Sequence, residues 1–536
     1  MTEGKLDLVP PPAPPAWGDR AEPWVPDTVG RRAKAAEAAW KLDPDPDFPD
    51  TVLDRGRLGD IEVLACAARG SKHRFEGTAR QDAAIARAAA GSWALAAVAD
   101  GVGSVPDSQQ ASTAAVQWLL IELTRRLETG EAEPHKMVRA AFGEVNRRLV
   151  NLGGPKTTLT AAGVEALPGP DGRYRSWVAA VGDSPVYFLR DGRLVAVFDL
   201  EREDEFGTAT DAMPDRDLRN RLRLRSAPIR PGDALALVSD GIGDLLGARS
   251  EEPKAYFAER WGAAPNPVDF MRHVQIRSRG FDDDRSAAVL WAAPGPTGQD
   301  APALRDAARP SAAHDVEIRA GRLRGLEVRA VSSRGLEAAR EGRRRRARTV
   351  LFERAGRLVA ITAAPTGVDA TADHVGPWVA AVREAVEGFP PDHPSSEWMP
   401  NLWSLAVRAF DATPGARLDE VATAVLCAEP SPGGAVDYEL ALAGPVSAAI
   451  FGAGIHQELG TIRAPEHRWG TGPGEVPCRV HVDRLTPDQG LLLTVGVDPA
   501  RFARLPERPG PLEAYGVLEG ERAEEDQLAL VLWGER

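Results

Sequence analysis

The sequence predicts an α+β fold that occurs twice in tandem. Three observations carry this. Short apolar runs such as WALAAVA (93–99) and DALALVS (233–239) end abruptly at Asp-Gly, as buried strands end in turns. Two helical patterns lie side by side between groups of such strands, which is an α+β layered order. Five segments of the first half then recur, in the same order, in the second.

Composition bounds the classes. The chain has 536 residues, 43% hydrophobic and 27% charged, with a net charge of −13, which is an ordinary globular balance. No apolar run approaches the roughly 20 residues needed to cross a bilayer, so no membrane span is expected. The start, MTEGKLDLVPPPAPPAW, lacks the basic and apolar regions of a signal peptide. Cys66, Cys427 and Cys478 are far apart. That excludes a disulfide scaffold and a Cys-based zinc site and suits a reducing cytoplasm. The acidic balance disfavours a nucleic-acid partner.

Residues 1–55 read as a Pro- and Asp-rich arm. Asp43, Asp45 and Asp47 mimic the start of a calcium loop, but Phe48 stands where such a loop needs Gly, so a stiff acidic linker is expected. Residues 56–293 read as the first domain. Strands are expected at 61–68, 93–99, 158–167, 176–181, 185–190, 193–198, 233–239 and 286–291. Helices are expected over 108–128 and 135–150, the second with Met137, Val138, Ala141, Phe142, Val145 and Leu149 on one face. Arg190-Asp191-Gly192-Arg193 is a tight hairpin signal. Residues 294–315, rich in Pro, Gly, Ala and Asp, read as a linker. Residues 316–536 read as the second copy.

The repeat is collinear. IEVLACAARG (61–70) matches LEVRAVSSRG (326–335), and LAAVADG (95–101) matches VAITAAP (359–365). WVAAVGDSPVYFLRDG (177–192) matches YELALAGPVSAAIFGAG (438–454), and RPGDALALVSDGIGDLL (230–246) matches TPDQGLLLTVGVDPARF (486–502). DDDRSAAVLW (282–291) matches EEDQLALVLW (524–533). Trp291 and Trp533 fall at equivalent strand ends and read as core.

In the first copy, acids stand where apolar strands stop: Asp82, Asp100, Asp183, Asp240 and Asp284. One such acid alone is more often a turn residue than a ligand. Converging carboxylates repel one another unless hard cations neutralise them, and oxygen-only ligands favour Mg²⁺ or Mn²⁺ over zinc.

These stretches resemble the metal-dependent Ser/Thr protein phosphatases of type 2C. The matching motifs are RGSKHRFEGTARQDA (69–83), AVADGVGS (97–104), PKTTLTAAG (155–163), AAVGDSPVYFLRDG (179–192), GDALALVSDGIGD (232–244) and DDDRSAAVLW (282–291). Gln81-Asp82 and Asp283-Asp284-Arg285-Ser286 look most like a bacterial subgroup. The resemblance implies two tandem four-layer α-β-β-α sandwich domains, with metals at one end of the first. It implies Mg²⁺ or Mn²⁺ as cofactor, two ions with a third, weaker one at Asp183. Asp100 would bridge two metals with help from the Gly101 carbonyl, Asp240 and Asp284 would complete the first metal's shell, and Asp82 would act through water. A metal-bridging hydroxide would then attack a phosphoserine or phosphothreonine of a protein substrate.

Three positions depart from the family pattern. Gly77 stands where many members carry a phosphate-gripping Arg, so His73, Arg74 or Arg80 is expected to take that place. Val102 replaces a His found in some members, and Gln81 replaces a Glu. In the second copy Asp82, Asp100, Asp183 and Asp240 become Ala347, Ala363, Pro445 and Gly496, with only Asp526 left to match Asp284. A metal-free pseudophosphatase domain with a regulatory role is therefore expected. The basic run Arg340–Arg348 reads as an exposed hairpin tip rather than a phosphate cradle. Family context adds a partner Ser/Thr kinase. The alternative to an enzyme is a noncatalytic scaffold that binds a kinase or phosphoprotein. A metal-dependent nuclease fits the acids but lacks a basic groove.

Overall fold

The computed structural model describes residues 28–29, 41–42, 48–198 (apart from 132), 211–292 (apart from 249 and 279), 302–308, 314–335, 338, 346–365, 375–390, 421–452, 455–461, 479–498, 501–502, 511–520 and 526–534. Among the described residues, the eleven strands of the second half follow the same order and pairing as the eleven of the first. In the first half β1 is Thr51–Leu58, β2 Ile61–Ala68, β3 Ala83–Ala89, β4 Trp93–Ala99, β5 Leu159–Glu165, β6 Ser176–Val181, β7 Val186–Arg190, β8 Arg193–Ala196, β9 Arg223–Ser226, β10 Ala234–Val238 and β11 Arg285–Ala292. Its helices are α1 Ser71–Glu76, α2 Ser108–Glu128, α3 Pro134–Val150, α4 Leu218–Arg221, α5 Asp240–Gly247, α6 Glu252–Arg260 and α7 Pro267–Val274. In the second half β12 is Val316–Leu323, β13 Leu326–Ser333, β14 Arg348–Arg354, β15 Arg357–Pro365, β16 Val421–Pro430, β17 Val436–Ala443, β18 Val446–Gly452, β19 Ile455–Thr461, β20 Arg479–Leu485, β21 Gly490–Val495 and β22 Gln527–Gly534. Its helices are α8 Val375–Gly388 and α9 Pro511–Gly520.

Each half stacks two antiparallel sheets. One is β3-β4-β5-β6-β9, mirrored by β14-β15-β16-β17-β20. The other is β1-β2-β11-β10-β7-β8, mirrored by β12-β13-β22-β21-β18-β19. These last two join edge to edge through β1 and β12, with Thr51 opposite Ile318 and Leu53 opposite Val316, to make one 12-stranded sheet.

The strands are rich in Ala because they are buried on both faces. Inward Ala65, Ala67, Ala84, Ala86, Ala96 and Ala288 let the two sheets of the first half approach closely. The outward face of the β3–β6 sheet is covered by α2 and α3 through Leu119, Leu123, Val138 and Phe142. On the far side, α5, α6, α7 and α9 form a shared layer, in which Phe257, Trp261 and Phe270 join Tyr515 and Leu518 of the second half. Layers of helix, sheet, sheet and helix result, as the resemblance implies.

Two boundaries are corrected. β1 begins at Thr51, so the first domain starts before residue 56, and Asp50 and Thr51 are buried. Residues 302–308 do not hang free as a linker. Arg57 donates its N–H to the Pro302 carbonyl and Ala88 donates to the Arg305 carbonyl, which fastens this segment to β1 and β3. The arm also touches the body at Val29, whose N–H reaches the Arg277 carbonyl, and at Leu42, whose N–H reaches the Arg322 carbonyl. The acids Asp43, Asp45 and Asp47, Cys478 and most of the run Arg340–Arg348 lie outside the described residues.

A charged junction ties the halves together. Asp54 of β1 pairs with Arg87 of β3, with Arg305 and with His314. Arg305 also reaches Asp315, as does Arg334 at 3.1 Å. Asp54, Arg87, Arg305, Asp315 and Arg334 are all buried. Burial alone would raise the Asp54 carboxyl, yet the charges of Arg87, His314 and Arg305 hold it well below its ordinary value.

Candidate metal centre and active site

Both sheets of the first half bring strand ends to one rim. Asp82 immediately precedes β3, Asp100 follows β4, Asp183 lies between β6 and β7, Asp240 opens α5 after β10, and Asp284 precedes β11. The Asp-Gly pairs are more than turns. Gly101 donates its N–H to the Gln81 carbonyl at 3.2 Å, and a Cβ there would lie 2.9 Å from that oxygen. A Cβ on Gly241 would lie 2.0 Å from the Asp284 carbonyl oxygen. Only glycine lets the Asp240 and Asp284 backbones meet this closely.

The Asp100 backbone is fixed from β5. Its N–H donates to Thr158 Oγ1 at 3.0 Å, and its carbonyl accepts from Thr157 Oγ1 at 2.9 Å and from the Thr158 N–H at 2.8 Å. Asp284 is held by its side chain. Oδ1 accepts from the Gly70 N–H at 2.6 Å and from His73 Nδ1 at 2.8 Å, and Oδ2 accepts from the Gln81 N–H at 2.5 Å.

The electrostatics of the rim are those of crowded acids. Burial, then the charges of Asp284 and Asp240, push Asp82 up to about 8. Burial, then Asp183, Asp283 and Asp244, push Asp240 up to about 7. Asp100 is raised well above its ordinary value by burial, then by Asp82 and Asp240. Asp284 goes the other way. Burial would raise it, but the His73 hydrogen bond and charge and the Gly70 and Gln81 N–H groups hold it low. Asp82 is 2% exposed, and its Oδ2 is buried with no hydrogen-bond partner. An orphaned anionic oxygen among raised carboxylates fits a hard cation.

The side chains of Asp82 and Asp100 lie within hydrogen-bonding reach of each other. Among the described residues, the one trio whose ligand atoms all lie within 4.8 Å of one another is His73, Asp283 and Asp284.

The basic residues expected near a substrate phosphate are turned into the protein. Arg74 forms a buried two-point bond to Asp50, at 3.0 and 2.6 Å. Arg80 donates from Nε to the Pro49 carbonyl at 3.2 Å and from its terminal nitrogen to the Asp82 carbonyl. His73 is 5% exposed and bonded to Asp284. The expectation that Arg74 or Arg80 reaches the phosphate is therefore corrected. Burial made guanidinium partners obligatory, and the nearest ones were Asp50 and backbone carbonyls.

Strand register gives the second half's counterparts. Asp526 accepts the N–H groups of Gly335 at 2.9 Å, Ala347 at 3.1 Å and Arg346, as Asp284 accepts those of Gly70 and Gln81. Ala347 replaces Asp82 and Gly496 replaces Asp240. Ala83 pairs with Ala99 where Arg348 pairs with Ala363, so the counterpart of Asp100 is Ala364, as LAAVADG set against VAITAAP also places it, and not Ala363.

A pair the sequence reading missed is also duplicated. Arg69 donates its N–H to the Asp50 carbonyl at 2.8 Å, and Arg334 donates to the Asp315 carbonyl at 2.9 Å. Both arginines are buried beside those aspartates. The RG dipeptides at 69–70 and 334–335 carried the signal, but Asp50 and Asp315 fell in stretches read as arm and linker.

Residues 69–273 match the sequence profile of the Protein phosphatase 2C family. Solved structures similar to the chain include the PPM Ser-Thr phosphatase MsPP from Mycobacterium smegmatis in complex with cacodylate. It is 22% identical, the match covers 43% of this chain and 97% of that one, and the TM-score is 0.31. The catalytic domain of the serine threonine protein phosphatase PstP in complex with two manganese ions is 21% identical over 44% of this chain and 98% of that one, with a TM-score of 0.29. PppA of Pseudomonas aeruginosa is 20% identical over 45% and 99%, with a TM-score of 0.31. No curated protein matches the chain.

Proposed function

We propose, on the match of residues 69–273 to the Protein phosphatase 2C profile, that the chain hydrolyses phosphoserine or phosphothreonine on a protein. One observation carries the reading: Asp82, among the carboxylates at one rim, is buried with an unpartnered oxygen. Asp82, Asp100, Asp240 and Asp284 would hold Mg²⁺ or Mn²⁺, with the Gly101 carbonyl on the Asp100 side and Asp183 at a further, exposed position. When bound, these cations supply charge neutralisation and Lewis-acid activation of water and phosphoryl group.

The chain's own residues set the geometry. Thr157 and Thr158 fix the Asp100 backbone at the end of β4. Gly70 and Gln81 keep Asp284 ionised and aimed along the rim. Gly241 brings the Asp240 and Asp284 backbones together. The sheets behind Asp82 exclude water from it.

The second half, with Ala347, Ala364, Pro445 and Gly496 in place of the acids, would be a metal-free pseudophosphatase that regulates or docks. A Ser/Thr kinase in a bacterial signalling pathway would place the phosphate that the first half removes. The buried thiols of Cys66 and Cys427, neither of them in a disulfide, support a reducing, cytoplasmic setting. Among the described residues no helix is long and apolar enough to cross a membrane.

The inward turn of Arg74 and Arg80 favours the second reading, a noncatalytic scaffold for a kinase or phosphoprotein. Hydrolysis of p-nitrophenyl phosphate and of a phosphothreonine peptide by the full chain decides between them. Mn²⁺-dependent turnover, abolished by EDTA and by Asp240→Asn, is expected. No turnover despite Mn²⁺ binding would establish the scaffold.

A further inference from the structure

Asp284 and Asp526 occupy the same place in the two halves, yet one bond sets them apart. Each accepts the N–H of the glycine that follows a buried arginine, Gly70 or Gly335. Each also accepts from the segment that enters β3 or β14, through Gln81 or through Arg346 and Ala347. Among the described residues, Asp284 alone has a side-chain donor as well. His73 Nδ1 lies 2.8 Å from its Oδ1. Three residues after Gly335, where His73 stands after Gly70, the second half has the buried Ala338.

The chain therefore contains its own control. The fold holds this aspartate in both halves, and in the second it does so without an imidazole. His73 is present only where Asp82, Asp100 and Asp240 are present. We propose that His73 is a positioning residue for the metal centre, whose Nδ1–H pins Asp284 Oδ1. This inference rests on the phosphatase reading above.

The chemistry follows from lone pairs. A carboxylate has about four acceptor sites. In Asp284 the two on Oδ1 are filled by Gly70 and His73, and one on Oδ2 by Gln81. The remaining site is on Oδ2, the oxygen beside the Gln81-Asp82 segment and so on the side of the other acids. In Asp526 the filling is reversed. Oδ2 takes two N–H groups, from Arg346 and Ala347, and the open site falls on Oδ1, away from the rim position. Both Asp284 oxygens accept backbone N–H groups, so the carboxylate is the acceptor and Nδ1 the donor nitrogen of the ring. Nε2 then faces the exposed Asp283, 4.0 Å from its Oδ1. Partners of this kind around a metal ligand fix its orientation and its basicity.

The test is Mn²⁺ affinity of the full chain by titration calorimetry, with each metal-free melting temperature as a check on folding. His73→Ala is expected to weaken Mn²⁺ binding about 10–100-fold. His73→Asn places an amide donor at the Nδ1 position and is expected to restore most of that affinity. His73→Gln places its amide at the Nε2 position and is not. Equal affinities for wild type and His73→Ala overturn the proposal, as do equal affinities for the Asn and Gln variants. A wild-type chain that binds no Mn²⁺ overturns the metal centre itself, and this proposal with it.

Discussion

Asp82→Asn separates a strained site from a structural one. Asp82 is buried, one of its oxygens has no partner, and its carboxyl is pushed from 3.8 up to about 8 by burial and by the neighbouring charges of Asp284 and Asp240. The sign follows. Below about pH 4 the group is protonated in folded and unfolded chains alike, and its full contribution to stability is present. As the pH rises towards 8, the unfolded chain ionises freely while the folded one holds its proton, so the metal-free protein loses stability across that window. At about 1.4 kcal/mol per pH unit, the loss at pH 7 is at most about 4 kcal/mol. Relaxation and water entry at the half-open rim reduce this to roughly 1–3 kcal/mol. Asparagine has the same shape without the charge. In EDTA at pH 7 the variant is therefore expected to melt above wild type, by roughly 2–12 °C at about 2–4 °C per kcal/mol. With Mn²⁺ at about 1,000 times Kd the order reverses, because saturation adds about 4.1 kcal/mol to wild type alone. Scanning calorimetry of both chains at pH 5, 6, 7 and 8, with EDTA and with Mn²⁺, measures each term. A metal-free variant that melts below wild type at pH 7, or a wild type whose metal-free stability does not fall between pH 5 and pH 8, refutes the reasoning.

Three further outcomes follow from the same contacts. Asp54→Asn leaves buried Arg87, Arg305 and His314 without their shared anion, so a loss of about 3–5 kcal/mol is expected in urea unfolding; a loss under about 1 kcal/mol would show the junction to be dispensable. Asp526→Asn is expected to cost about 1–3 kcal/mol of stability, because it weakens acceptance of three backbone N–H groups, yet to leave Mn²⁺ affinity unchanged in calorimetry. Gly241→Ala drives a methyl group into the Asp284 carbonyl, so Mn²⁺ binding is expected to fall at least about tenfold, and unchanged binding would mean that the α5 start can shift freely.

The sequence was legible where one physical signal dominated. SWVAAV and WALAAVA are short, apolar and bounded by polar residues, and β6 and β4 have those limits. The helix over 108–128 and the hairpin at Asp191-Gly192 were readable for the same reason, since both turn residues take positive φ. β3 was not, because AAIARAA carries Arg87 in its middle. Its burial depends on Asp54, which lies 33 residues earlier in the chain, and such a pairing leaves no local trace. β9, the polar RLRS, is an edge strand placed by its partner β6. Of α5 to α7, α7 alone carried a readable start, the Asn266 cap accepting the Asp269 N–H with Pro267 behind it. At the rim, the acids could be named from where strands end. What each one touches could not, because Gly70, Gln81 and His73 reach Asp284 across more than 200 residues.

The duplicated aspartate shows how a fold can outlast a site. Asp284 does two jobs with one carboxylate: it closes the entry to β3 through backbone N–H groups, and it faces the other acids. Asp526 does only the first, and it is the one acid of the rim set with a counterpart in the second half. Asp82, Asp100 and Asp240 accept no comparable set of backbone bonds, and burial, then the charges of neighbouring carboxylates, raises all three. Without a cation to neutralise them, each is a burden on folding, so replacement by Ala347, Ala364 and Gly496 relieves strain without opening the sheets. The small residues at the second half's rim and the acids at the first half's rim express one rule, that a buried charge persists only where something answers it.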